Sequence, residues 1–292
     1  MKNLRLALLL AVVAVFYGCT TLNRVNPTDP QAGNYIGMHY LGAIGDFTKL
    51  EDFNVMGDAV WCVDSVTNNV YKYSTSGDLI FSFTGGGITA PTGICSDNTF
   101  FYVADKDTVY RNIKRFDPAY VSNTAQVQLP NYSSTYNFIK CAASPLYLYA
   151  ATSTAVYIFD TTANSLTAAS PYVFTNISDI KYNPGTNEVV VADSGSNSIL
   201  IFTPVLTNPP ALTYQRQLVF TEGIIGFGIK DSYIYVPTVT GIHQYYYNTG
   251  VAVKTFANFG EGSGKISAPG PCGIYGNNVL VGTGTTIKYF GP

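Results

Sequence analysis

The sequence predicts an all-β fold: a six-bladed β-propeller of four-stranded antiparallel blades, with an N-terminal strand closing the last blade. Three observations lead there. The first is composition. Of 292 residues, 47% are hydrophobic and 12% charged, and Gly (27), Tyr (23) and Phe (17) abound. An average soluble domain is about 25% charged. Surface helices usually carry Glu and Lys, whereas strands favour aromatic and β-branched residues. The second is residues 188–204, EVVVADSGSNSILIFTP, where two β-rich runs flank a Ser/Gly/Asn cluster and read as a hairpin. The third is recurrence. An apolar residue, a small one, then Asp or a small polar residue precede a turn and a second apolar run. The third members fall at 64, 105, 151, 193, 238 and 283, spaced 41, 46, 42, 45 and 45 residues apart. A period of about 44 is that of a four-stranded propeller blade.

In chain order, residues 1–19 read as a targeting segment. Lys2 and Arg5 make a basic start, and residues 6–15 form an apolar run too short to span a bilayer comfortably. The segment resembles the signal of bacterial lipoproteins, in which a small residue precedes a cysteine that is lipidated and becomes the new N-terminus. Gly18 and Cys19 match that pattern; Phe16 and Tyr17 stand where a leucine and a small residue are usual. The resemblance implies lipidation at Cys19 and a place in a bacterial cell envelope, periplasmic or surface-exposed. The alternative is an ordinary signal peptide with a chance cysteine. Residues 20–34, TTLNRVNPTDPQAGN, are polar and broken by Pro27 and Pro30. They read as an extended tether, reaching about 45 Å at roughly 3 Å per residue. Residues 35–292 are the propeller.

Within each repeat, the segment before the marker is short and rich in small residues, as in PTGIC at 91–95 and PCGIY at 271–275. This suits an innermost strand, where blades converge and bulky side chains would collide. The segment after it is apolar, as in LIFSF at 79–83 and VAVKTF at 251–256, and suits the outermost strand. The sixth repeat stops after its third strand, IKYF at 287–290. Residues 38–44 precede the first inner strand, at 52–56, and occupy the place of an outer strand. They are expected to supply the missing strand and close the ring, which removes two open sheet edges.

Two stretches carry a family resemblance. Residues 91–118, PTGICSDNTFFYVADKDTVYRNIKRFDP, and 177–204, ISDIKYNPGTNEVVVADSGSNSILIFTP, resemble NHL-type propeller repeats. The shared pattern is a Pro-x-Gly-Ile-like start, a Tyr-Val-Ala-Asp-like second strand, a turn and an aromatic-ending third strand. The resemblance covers about residues 35–292. Repeats three, five and six carry Ala151, Thr238 and Thr283 in place of the Asp. It implies a fold and no one activity, since such repeats occur in binding scaffolds and in unrelated enzymes.

Few residues offer chemistry. Asp64, Asp105 and Asp193 recur at blade period, and an Asp at a strand end accepts N–H bonds from the turn that follows. The two histidines, His39 and His243, fall on an outer and a third strand, so they cannot form a three-histidine zinc site near the axis. Neither His-Glu-x-x-His nor Gly-x-Ser-x-Gly is present. GEGSGK at 260–265 fails as a phosphate loop: Phe259 stands where the first glycine belongs, and Ile266 where Ser or Thr should follow the lysine. It reads as a flexible connection. Cys62, Cys95, Cys141 and Cys272 form no Cys-x-x-Cys. Cys95 and Cys141 hold equivalent places in successive inner strands, but adjacent blades splay apart, so buried thiols are expected. An oxidising compartment leaves their redox state open. No catalytic residue, metal site or cofactor is assigned. A net charge of −2 without a basic cluster argues against nucleic acid.

The axial mouth remains. The connections from outer to inner strands share a face with those between second and third strands, and they carry Asp107, Asp179, Glu222 and Lys265 as possible ligand contacts. The reading is a lipid-anchored scaffold outside the cytoplasm. Its partners are the membrane, through the lipid, and an unidentified protein, small molecule or glycan. The alternative is an enzyme: a calcium-dependent, lactonase-like or sugar-ester hydrolase with its site at that mouth.

Overall fold

The computed structural model describes residues 38–106, 112–117, 127–128, 136–161, 165–205, 207, 209–259 and 265–292. Residues 1–34, read above as a targeting segment and tether with Cys19, lie outside them, as does Asp107. Every regular element among the described residues is a strand, and the strands form six sheets.

The first strand, β1 (His39–Ile44), belongs to the last sheet. Blade one is β2 (Leu50–Met56), β3 (Ala59–Asp64), β4 (Asn69–Ser74) and β5 (Leu79–Thr84). Blade two is β6 (Pro91–Ser96), β7 (Phe101–Asp105), β8 (Asn112–Phe116) and β9 (Val127–Gln128). Blade three is β10 (Lys140–Ala143), β11 (Tyr147–Ala151), β12 (Val156–Asp160) and β13 (Ser165–Ala169). Blade four is β14 (Ile177–Asn183), β15 (Glu188–Asp193), β16 (Ser198–Val205) and β17 (Ala211–Val219). Blade five is β18 (Gly228–Lys230), β19 (Tyr233–Thr238), β20 (Gly241–Tyr246) and β21 (Ala252–Phe259), with a short parallel fifth strand, β22 (Lys265–Ile266). Lys265, expected in a flexible connection, therefore sits in a strand. Blade six is β23 (Cys272–Tyr275), β24 (Asn278–Gly282) and β25 (Ile287–Gly291), completed by β1.

Closure by the N-terminal strand is as expected. β1 runs antiparallel to β25, pairing Ile44 with Ile287 and Tyr40 with Phe290. Tyr40 packs edge-on against Phe290 at 6.0 Å between ring centroids. The chain after β1 continues the seam: the N–H groups of Phe47 and Leu50 donate to the carbonyls of Thr285 and Gly284, each at 2.7 Å.

The core is divided into six layers, one between each pair of neighbouring blades. This explains the unbroken apolar runs in the second strands. In β15, Val189 and Val191 face the layer shared with blade three, while Val190 and Ala192 face the layer shared with blade five. Alternate residues point to opposite faces of a strand, so a sheet buried on both sides needs apolar residues at every position.

The inner strands meet near the axis. A Cβ on Gly93 would lie 2.8 Å from the Lys140 Cα and 2.9 Å from the Ile139 carbonyl, and one on Gly226 would lie 2.8 Å from the Gly270 carbonyl. These contacts are with backbone, so no side chain can move aside to make room.

The recurring aspartates brace the loops. Asp64 accepts N–H bonds from Val66 and Thr67 in the turn that follows, at 2.9 and 3.0 Å. It also accepts from Thr48 and Lys49, which lead into the inner strand. Asp193 does the same with Gly195 on one side and Thr175 and Asn176 on the other. One carboxylate thus ties two connections together. Asp105 bonds Thr89 and Ala90 and forms a buried ion pair with Lys114.

Candidate functional site

The axial channel concentrates charge in an otherwise charge-poor chain. Two inner-strand aspartates face it, each placed by a bulge. In β2 the register skips between Leu50 and Asp52, and in β14 between Ile177 and Asp179. Their hydrogen bonds repeat. Asp52 accepts from its neighbour's N–H, Phe53, at 2.9 Å and from Ile94 of blade two at 3.3 Å. Asp179 accepts from Ile180 at 2.8 Å and from Phe227 of blade five at 3.1 Å. Each carboxylate therefore staples its inner strand to the next one.

Two lysines balance them. Lys140 of blade three reaches blade one, with its Nζ 3.1 Å from Asp52 Oδ2, and it donates to the Glu51 carbonyl at 2.9 Å. Blade two lies between, and there the place equivalent to Asp52 is taken by Gly93. Lys181 sits 3.3 Å from Asp179 Oδ2 and 5.7 Å from the Phe227 ring centroid. Burial pushes the Asp179 carboxyl above the usual carboxylate range; Lys181 opposes this, and Asp52 adds to it. Burial alone would lower the Lys181 ammonium, but Asp179 and Asp52 carry it above its ordinary value. The four groups form one mutually compensated cluster.

Two cavities adjoin it. One, of 110 Å³, is lined by Asp52, Asp179 and Lys181 together with Cys95 and Cys141. The other, of 320 Å³, lies towards the turns between first and second strands, with Pro184 and Ile274 in its wall. They share Asn54, Lys181 and Tyr182.

No family model matches the chain, and no curated protein matches it. The fold has solved counterparts. The β-propeller domain of Cps50 (Swd1) from Myceliophteria thermophila, a crystal structure, superposes with a TM-score of 0.63. The match covers 88% of this chain and 100% of that one at 10% identity. At that identity the likeness shows the β-propeller fold alone and nothing of its use; the count of six blades rests on the six sheets of this chain.

Of the residues singled out in the sequence, Asp179, expected in a connection, lies within inner strand β14, where a bulge turns it to line the channel. Glu222 lies in a separate polar group on blade five. The Thr240 hydroxyl donates to it at 2.8 Å, and His243 Nε2 stands 3.8 Å away. The bond from Thr238, outweighing some burial, holds the Glu222 carboxyl below its ordinary range. Lys265 is exposed, and its carbonyl accepts from the Lys288 ammonium. Neither Glu222 nor Lys265 lines either cavity. The sequence reading missed Asp52, Lys140 and Lys181. A signal was available: an acid in an inner strand otherwise built of small and apolar residues appears in just the first and fourth repeats. Cys62, Cys95, Cys141 and Cys272 are buried thiols, and Cys141 Sγ donates to the Tyr102 carbonyl at 3.5 Å.

Proposed function

We propose that this protein is a binding scaffold of a bacterial envelope, held by a lipid on Cys19 and presenting one face of the ring to a protein partner. The observation that carries this reading is the apolar surface of that face. Val173, in the connection into blade four, is 81% exposed; Val219, at the end of β17, is 72% exposed; Val239, in the turn after β19, is 59% exposed. All three lie at the end of the blades where Asp193 braces the loops. Exposed aliphatic residues gathered on one loop face favour protein association.

The hydrolase reading has less support. A calcium ion takes six to eight oxygen ligands. Both axial carboxylates already hold an ammonium within 3.3 Å and spend oxygens on backbone N–H groups. The ammonium groups stand where a divalent cation would have to go.

Crosslinking in intact envelopes tests the scaffold reading. The wild-type chain should yield a protein adduct. Val219→Asp with Val239→Asp should lose it, while Leu79→Asp, an exposed position on outer strand β5, should keep it. An adduct indifferent to the first pair would refute the assigned face. Calorimetric titration with calcium checks the alternative, and stoichiometric uptake lost in Asp52→Asn would revive it.

A further inference from the structure

We propose that the wide end of the axial channel binds a small monocarboxylate with an apolar body. This site is independent of the anchor and of the docking face: the channel can take a ligand whether or not the ring is tethered or partnered. The cavity measures 320 Å³, at the lower end of the roughly 300–1,000 Å³ range of small-molecule sites.

Its lining has one charge. Lys181 reaches it, and no carboxylate does, because Asp179 lines just the narrow neighbouring cavity. The Lys181 side chain is 24% exposed and that of Asp179 is 3% exposed. Lys181 therefore stands in the wall between the two spaces, with its carboxylate partner on the side of the narrow one. An ammonium has three donors. Asp179, at 3.3 Å, engages part of that capacity, and the Phe227 ring, at 5.7 Å, accepts no conventional hydrogen bond.

Part of the lining is hydrocarbon. Val55, Ile229 and Ile274 are half-buried: each packs on one side against a layer between blades and keeps part of its surface free. Their exposed surface is turned into a concave space, where a ligand's apolar body would displace water. Asn54 and Tyr182 also line it; the Asn54 amide donates to Ser96 and the Tyr182 hydroxyl to Asn187, which leaves Lys181 as the charged group of the wall.

Charge density selects among anions. Asp179, 3.3 Å from the ammonium, cancels much of its field. A phosphate dianion would need further cations, and none lines the cavity. A carboxylate at Lys181, with a short aliphatic or aromatic body against Val55, Ile229 and Ile274, satisfies both halves of the site.

The test uses the full chain and three benzene-ring probes: benzoate, its isostere benzamide, and the cation benzylamine. Calorimetry should show saturable benzoate binding, with benzamide weaker by about tenfold or more, the worth of one charged hydrogen bond. Benzylamine should not bind. Lys181→Met keeps the side-chain length and should abolish the preference for benzoate. Ile229→Trp fills the cavity, leaves the ion pair intact and should abolish binding of both probes. If Lys181→Met does not fold, the wild-type probe ratio and Ile229→Trp still decide. The proposal is overturned by equal affinity for benzoate and benzamide, by benzoate binding that survives Ile229→Trp, or by no saturable binding of benzoate or butyrate.

Discussion

Ring closure by β1 can be tested by two deletions. Removing residues 1–34 leaves β1 intact; removing residues 1–46 takes it away. The second deletion removes Met38 and Ile44, both buried in layers that blade six shares with its neighbours. Full burial of such a side chain stabilises by about 1.5–3 kcal/mol, so the two together contribute about 3–6 kcal/mol. The same deletion uncovers Ile287 and Phe290, now fully buried, and leaves the hydrogen-bonding edge of β25 open. The truncated chain no longer has to order a six-residue strand, which offsets part of the loss. A net loss of a few kcal/mol is a large share of the roughly 5–15 kcal/mol that holds a domain folded. In a domain of this size each kcal/mol moves the melting temperature by about 2–4 °C. Thermal unfolding should therefore place the longer truncation about 6–12 °C below the shorter one. Equal melting temperatures would show that β1 contributes nothing to the ring and would refute the reasoning.

Three further outcomes are expected. Cys19→Ala should move the protein from the membrane fraction to the soluble one, and a variant that still sediments with membranes would sink the lipid anchor. Gly93→Val should cost at least about 1–3 kcal/mol, because the new Cβ meets the backbone of Lys140 and Ile139; an unchanged urea midpoint would contradict the close approach at the axis. For Asp193, burial alone would raise the carboxyl, but bonds from Thr175, Asn176, Ser196 and Gly195 hold it below its usual range. A lowered folded value means stability present above the unfolded value of about 3.9 and lost as pH falls through the folded one. Asp193→Asn should therefore be less stable than wild type at neutral pH and lose less on acidification, and urea midpoints with the same acid slope in both proteins would refute this.

Much of the fold was legible because it repeats. A blade is a local unit, its strands joined by short turns, so its pattern of apolar runs, small residues and turn formers recurs at blade spacing. The repeat units read at 91–118 and 177–204 fall in blades two and four. Even closure could be inferred, since a three-stranded last repeat and an extra strand at the start are complementary.

The chain itself determined the number of blades, the order of strands within them and the bracing aspartates, all of which depend on residues close in sequence or on the period. The site was decided by tertiary structure. Asp52 and Lys140 lie 88 residues apart and meet because Lys140 reaches from blade three to blade one past a glycine in blade two. Which inner-strand side chains face the axis depends on bulges at Asp52 and Asp179, and each bulge shifts the alternation by one residue. Charge pairing across a channel carries no sequence period, because it depends on how six separate strands converge. The cavity beside Lys181 exists only after they do.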